Sequence, residues 1–290
     1  MATTLTLTTT SLEPGAYHGV PEELYHSLPY VSSSYLKKFK DCPADALLPV
    51  EKTACMELGS ALHSFILEGQ DSFDKKFTFM FESDLNKNTK EYKAAAAEFA
   101  DANSGMTILP SHTNKVSTKE VLQNCHASIQ AHPAAAKLLS AEGASEVTLI
   151  WDDPTTGLRC KARLDFFTEG VICDIKKTQD VKKFRNTLVT FNYDIQAAWY
   201  LMGAQACGLA AVKFVFIAIE AEAPYKVATG VLSDRWDEYG RSETSRLLGL
   251  VKECQERQYF PAFEIPQNIT SLDQITGKDL MIEWDIPSWR

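Results

Sequence analysis

Residues 161–178 read KARLDFFTEGVICDIKKT and place Asp165, Asp174 and Lys176 inside an otherwise apolar pair of strands. If Glu169-Gly170 is a two-residue turn, Asp165 faces Asp174 across the ladder and Arg163 faces Lys176. Directly opposed residues have Cβ atoms ~4.5–5.5 Å apart, and like charges at that distance are destabilising. Two aspartates in that position need a shared proton or a cation between them. A hard divalent ion such as Mg²⁺ suits carboxylate oxygens. Lys176 follows Asp174 by two residues and shares its strand face, where an ammonium can stabilise charge building on an oxyanion or help activate a water. The polar side of a solvated hairpin would carry the same residues without any chemistry. Leu164, Phe166, Val171, Ile172, Cys173 and Ile175 argue otherwise, because strands apolar on both faces are buried. Buried charges must be paired or bind metal.

The elements that hold this hairpin can be read from period and punctuation. The Ser cluster of VSSSYLKKFK (31–40) N-caps a helix. MELGSALHSFILE (56–68) has the apolar spacing of a buried helix, NTKEYKAAAAEFAD (88–101) has helix-forming composition, and further helices are expected over 117–130 and from Pro133. From Glu146 the period shortens. EVTLIW, LRCKARLDFF and GVICDIKKT read as three strands, with DDPTTG as a turn. NYDIQAAWYLMGAQACG is a helix ending at Gly208, AVKFVFIAIEA (211–221) is a central strand, YKVATGVLS is another strand, and 234–256 is a long helix before a Pro-interrupted tail. Helices followed by a meander, a helix and more strands make a layered α/β or α+β domain.

The chain has 290 residues, enough for a substantial core, and 38 acidic against 29 basic residues for a net charge of -9. That balance excludes non-specific affinity for nucleic acid through the whole surface but not a local basic track. No apolar run reaches the roughly 18 residues of a membrane span. The Thr-rich start lacks the features of a signal peptide, so residues 1–15 are expected to form a flexible tail or short edge strand. Seven cysteines without regular spacing and without a CxxC pair read as reduced thiols in a cytoplasmic protein with no structural zinc.

The spacing of Asp165, eight residues and then Asp174-Ile175-Lys176 resembles the D…(D/E)xK core of the PD-(D/E)XK nuclease superfamily. ELGSALHSFILEG resembles the histidine-bearing helix of its RecB-like branch, and YDIQAAWYLMG resembles that branch's QxxxY motif. YHSLPYVSSSYLKKF, AHPAAAKLL, DDPTTGLRCKARLDFF, CDIKKTQDVKKF and IPSW extend the likeness to the RecE-type exonuclease VIII family from about residue 17 to the end. The resemblance implies a restriction-endonuclease-like core, a central mixed sheet flanked by helices. Within a single domain over 16–290 it implies a helical part over 30–140, a catalytic sheet over 145–232, and a closing helix and tail over 234–290. Metal ligands would be His63, Asp165, Asp174 and the Ile175 carbonyl, with Lys176 as the catalytic lysine. Gln196 and Tyr200, four apart on one helical face, would hold a phosphate or the terminal nucleotide.

The implied activity is Mg²⁺-dependent 5′→3′ digestion of linear double-stranded DNA, with Mn²⁺ able to substitute. It would leave 3′ single strands for a RecT-type annealing protein and be carried out by a homo-oligomer such as a ring tetramer. KKTQDVKKFR supplies Lys177, Lys182, Lys183 and Arg185 as a phosphate-contacting track, and Lys37, Lys38 and Lys40 form a weaker second one. Glu146 is a candidate outer carboxylate. Cys42-Pro43 resembles the start of the iron–sulfur nucleases of this superfamily. The last third offers only Cys207 and Cys254, so no cluster is expected. An endonuclease or flap nuclease of the same branch, and a catalytically silent DNA-binding protein on the same fold, are the competing readings.

Overall fold

The computed structural model describes residues 11–280. Its strands are β1 (Gly15–Tyr17), β2 (Phe77–Phe79), β3 (Thr107–Leu109), β4 (His112–Thr113), β5 (Val116–Ser117), β6 (Gly143–Asp152), β7 (Arg159–Thr168), β8 (Val171–Thr178), β9 (Lys213–Glu220) and β10 (Val227–Gly230). Its helices are α1 (Glu22–Ser27), α2 (Ser33–Asp41), α3 (Ala54–His63), α4 (Gln70–Lys76), α5 (Lys90–Ala102), α6 (Thr118–Ala131), α7 (Pro133–Ser140), α8 (Phe184–Thr190), α9 (Tyr193–Ala206) and α10 (Asp234–Arg257).

Six strands form one mixed sheet in the order β1-β6-β7-β8-β9-β10. All its pairs are antiparallel except β8 with β9, which run parallel and are joined through α8 and α9. A parallel pair requires such a crossover, and here the crossover helix carries site residues. β9 is buried from Phe214 to Glu220, as a central strand covered on both faces must be. One apolar core lies between the sheet and α2, α9 and α10. It is built on Leu36, Phe39, Leu164, Ile172, Trp199, Phe216 and Leu247. A second core covers the other face with α3, α4 and α6, through Leu62, Phe73, Leu122, Ile129, Cys173, Ile175 and Ile217. The domain is therefore helix–sheet–helix, the mixed-sheet α/β architecture expected.

Local chemistry explains where the site-bearing helices begin. The Ser32 hydroxyl accepts from Tyr35 N at 3.3 Å to open α2, and the Thr53 hydroxyl accepts from Met56 N at 3.3 Å to open α3. Buried on nearly every side, α9 packs Trp199 against Trp151, the rings tilted by 56° with centroids 4.8 Å apart. Gly203 permits this approach, because a Cβ there would lie 2.6 Å from the Trp151 ring.

Four differences from the expected elements bear on the site. The helix expected over 56–68 ends at His63 and continues as a π-turn over Ser64–Glu68. Such wide turns recur at functional sites because they re-aim side chains. The expected hairpin turn is present, with Glu169 (φ 43°) and Gly170 (φ 81°) both left-handed, but its ladder stops at Phe166↔Cys173. Asp165 and Asp174 stand at the first unpaired position, and Arg163 does not pair with Lys176. The expected tail of 1–15 is anchored from Leu12 onward. Leu12 is buried, Arg159 Nη1 donates to its carbonyl at 3.0 Å, and Gly15 pairs with Ile150. Residues 1–10 of that tail, and the IPSW ending, lie outside the described residues. Finally, the short α1 has its C-terminal carbonyls closed by the buried Lys161, which donates to Tyr25 O at 2.8 Å and Leu28 O at 2.6 Å.

Candidate active site

β7 and β8 part just beyond Cys173, and the carboxylate of Asp165 occupies the gap. Its Oδ2 accepts from the Ile175 backbone N–H at 2.8 Å, where a ladder bond would otherwise run. From the α3 terminus, His63 Nε2 lies 2.7 Å from the Ile175 carbonyl and Nδ1 lies 3.5 Å from Asp165 Oδ2. A carbonyl only accepts, so Nε2 carries a proton. Ile175 is thus held at both backbone atoms by the residues expected to share a metal with it.

Asp174 is fully buried. Its Oδ1 accepts from Gln196 Nε2 at 2.8 Å. Its Oδ2 takes the Lys176 ammonium at 2.5 Å as an ion pair, but without hydrogen-bond geometry. Burial pushes the Asp174 carboxyl up to about 6, against the pull of Lys176. For Lys176, burial favours the neutral amine, yet Asp174 and Asp165 outweigh it and hold the ammonium above its ordinary range. Lys176 also lies 5.1 Å from the centre of the Tyr193 ring. Tyr200 is half-buried beside Phe214, and burial raises its phenol well above the usual range.

These groups open onto a cleft of about 320 Å³ lined by His63, Asp165, Gln196 and Tyr200, together with Ser33, Lys37, Glu68, Glu146 and Arg163. The expected basic track is not in its walls. Lys177 points the other way, with Nζ donating to Cys55 Sγ at 3.1 Å, as alternation along β8 requires. Lys182 and Lys183 are exposed on the segment leading into α8 and Arg185 on its first turn, where Arg185 borders a different, more apolar cavity of about 560 Å³ with Val189 and Trp236. That cavity is the larger one, but the convergent carboxylates, histidine and lysine belong to the cleft.

Several residues in and around the cleft carried little signal in the sequence. Tyr193 precedes Gln196 by one helical turn, a spacing that placed it on the same face. Arg163 pairs with Glu146 at 3.1 Å, and Lys76 pairs with Glu68 at 2.6 Å. Glu146 is drawn in by its left-handed backbone (φ 54°).

Residues 32–264 match the family described as a PDDEXK-like domain of unknown function (DUF3799). The chain belongs to this family. No curated protein matches it. The PDDEXK-like fold is also that of the crystal structure of a "putative exonuclease" from Eubacterium rectale. The two superpose with a TM-score of 0.56 at 16% identity, over 93% of this chain and 97% of the other.

PDDEXK nucleases use divalent metal ions, and the donors here are of the right kind: two carboxylates, a backbone carbonyl and an imidazole. Asp174 Oδ2 is already taken by the Lys176 ammonium, so an ion would have to share that oxygen with it. His63 Nδ1 stands 3.5 Å from Asp165 Oδ2, so the two expected ligands already face each other. The expected four ligands are nevertheless not drawn into one preformed cage. Among the described residues no group of three or more His, Cys, Asp or Glu side chains stands at ligating distances, because Asp174 is turned to Gln196 and Lys176. Among the described residues, no helix is long and apolar enough to cross a membrane.

Proposed function

We propose that this PDDEXK-like chain is a Mg²⁺-dependent exodeoxyribonuclease that digests linear double-stranded DNA from 5′ ends and leaves 3′ single strands for recombination by annealing. The reading rests on one observation. His63, Asp165, Asp174, Lys176 and Gln196 come from four separate elements and converge by direct contact at the parting of β7 and β8. The RecE-type resemblance supports the polarity, the cytoplasmic setting, a ring-shaped homo-oligomer and a RecT-type annealing partner.

In this reading His63, Asp165, Asp174 and the Ile175 carbonyl hold the ion, Mg²⁺ or Mn²⁺, which supplies Lewis-acid polarisation of the phosphate and of the attacking water. Lys176, held as an ammonium by Asp174, cannot take a proton from water. It stabilises the negative charge that grows on the phosphate oxygens. Gln196 fixes one oxygen of Asp174 and so orients the other. Tyr200, which keeps its phenolic proton, donates to a phosphate oxygen at the cleft wall. Lys182, Lys183 and Arg185 guide the duplex from outside the cleft.

The test is digestion of 5′-phosphorylated linear duplex with Mg²⁺ beside a covalently closed circle of the same sequence. Wild-type protein should consume the linear DNA and spare the circle, and Asp174→Ala should be inactive. Asp165→Asn, which keeps the side-chain shape, should also be inactive while retaining a native circular-dichroism spectrum. Surviving linear DNA, or variants that cut as well as wild type, would sink the proposal. Cleavage of the circle would move it to an endonuclease.

A further inference from the structure

Three lysines lie close together on α2, and the fold gives them different fates. Lys38 donates to Asp45 O at 3.3 Å and Leu48 O at 2.8 Å, and Lys40 donates to Asn192 Oδ1 at 2.7 Å. Both are spent on the chain itself. Lys37 instead lines the catalytic cleft, half-buried, and gives one hydrogen bond, to Gln196 Oε1 at 3.3 Å. Every other Lys or Arg in the cleft walls has a carboxylate partner: Arg163 has Glu146, and Lys76 has Glu68. Lys176, beneath the floor, has Asp174. Among the described residues no carboxylate lies within 4.0 Å of Lys37.

A desolvated ammonium without a counter-ion is costly unless something completes it. Lys37 also shares the Tyr193 ring with the cation of Lys176, their ammonium groups lying 5.0 Å and 5.1 Å from its centre. Burial, and then the Lys176 charge, pull its pKa down to about 8, and the more distant carboxylates of Asp174 and Asp194 offset them only in part. Two of its three N–H groups remain uncommitted to a hydrogen bond, and the Ser33 and Ser34 side chains flank the same cleft. Lys37 further decides which way the Gln196 amide points. With Oε1 taken by the ammonium, Nε2 is the end left for Asp174.

We infer that Lys37 binds a phosphate oxygen of DNA lying in the cleft and, through the same ammonium, holds the Gln196 amide toward Asp174. This rests on the nuclease reading above; it singles Lys37 out of the weaker basic run on α2 and adds its hold on Gln196, which that reading does not contain. The phosphate would replace the missing counter-ion, so DNA binding and the orientation of Gln196 become linked through one side chain.

The experiment measures affinity for a short linear duplex without divalent ion, so that nothing is cut, across a series of KCl concentrations. A residue neutralising one phosphate contributes about 0.9 to the slope of log affinity against log salt. Lys37→Gln should lower the slope by about that amount, and Lys37→Arg should keep it. With Mg²⁺ restored, Lys37→Gln should lose about ten-fold or more in single-turnover rate at saturating DNA. Lys37→Met serves if the Gln variant fails to fold. Duplexes ending in 5′-phosphate and 5′-hydroxyl separate the two phosphate sources. A slope change confined to the 5′-phosphate duplex assigns a terminal monoester, and one seen with both assigns an internal diester. An unchanged slope in the folded Gln or Met variant overturns the inference. If the wild-type protein neither binds nor cuts linear DNA, the nuclease reading itself has failed. If it does both while the slope stays unchanged, only the role of Lys37 has.

Discussion

Glu146 lies between Ser145 and Val147, which pair with Phe166 and Leu164, so it is in register with Asp165 although no pairing forms there. Burial first, and the Asp165 charge second, raise its carboxyl from 4.5 to about 7 despite the ion pair with Arg163. The folded protein therefore holds this proton more tightly than the unfolded chain. The resulting stabilisation is complete below pH 4.5 and is lost as pH rises through about 7. Glu146→Gln cannot ionise. Relative to wild type it should gain on the order of 1–3 kcal/mol between pH 5 and pH 8 in metal-free buffer. Urea unfolding at the two pH values measures this, and a constant difference would contradict it. The legible part of the site at this scale was the motif itself. Asp165, Asp174 and Lys176 declared themselves by breaking an apolar strand pattern, and His63 and Gln196 by their flanking text. Tyr193 did not, and Lys37 stood out only as one of a basic run with Lys38 and Lys40, because nothing in an aromatic or a helical lysine marks which neighbour it will meet.

Helix α9 shows how an element positions chemistry it does not perform. It is fixed between two close contacts: Gly203 against Trp151 on the sheet side, and Gly240 of α10, where a Cβ would lie 2.5 Å from the Asp194 carbonyl. Backbone cannot yield as a flexible side chain can. Gly240→Ala should therefore force α10 and α9 apart, costing about 1–3 kcal/mol of stability. It should also lower activity by displacing Gln196 from Asp174, although residue 240 touches no site residue. Thermal melting together with cleavage rate checks both effects. Helices with side-chain caps or long periodic faces were legible: α2, α6, α7 and α10 lie within a residue or two of expectation. The two- and three-residue strands β2 to β5, helix α8 and the π-turn after His63 were not, because tertiary contacts rather than local pattern hold segments so short.

Across the whole molecule a net charge of -9 coexists with an exposed cationic strip at Lys182, Lys183 and Arg185. Replacing all three by Ala should weaken binding of linear duplex to a similar degree for any sequence. It should also reduce the salt slope by up to about 0.9 for each phosphate left without its cation, and a duplex-binding titration in varied KCl reads both. By itself the sequence determined the layered α/β class, the Glu169-Gly170 hairpin and the identity of its charged cargo, because turn chemistry and strand alternation act over a few residues. Only the tertiary structure decided that the ladder stops one pair short of the aspartates, that His63 meets a carbonyl 112 residues away, and that Lys37 meets Gln196 across 159. It also decided that the basic track lies outside the cleft while Lys37, without a carboxylate partner among the described residues, lies within it. Those outcomes depend on which faces of distant elements pack together, and the two apolar cores on opposite sides of the sheet set them.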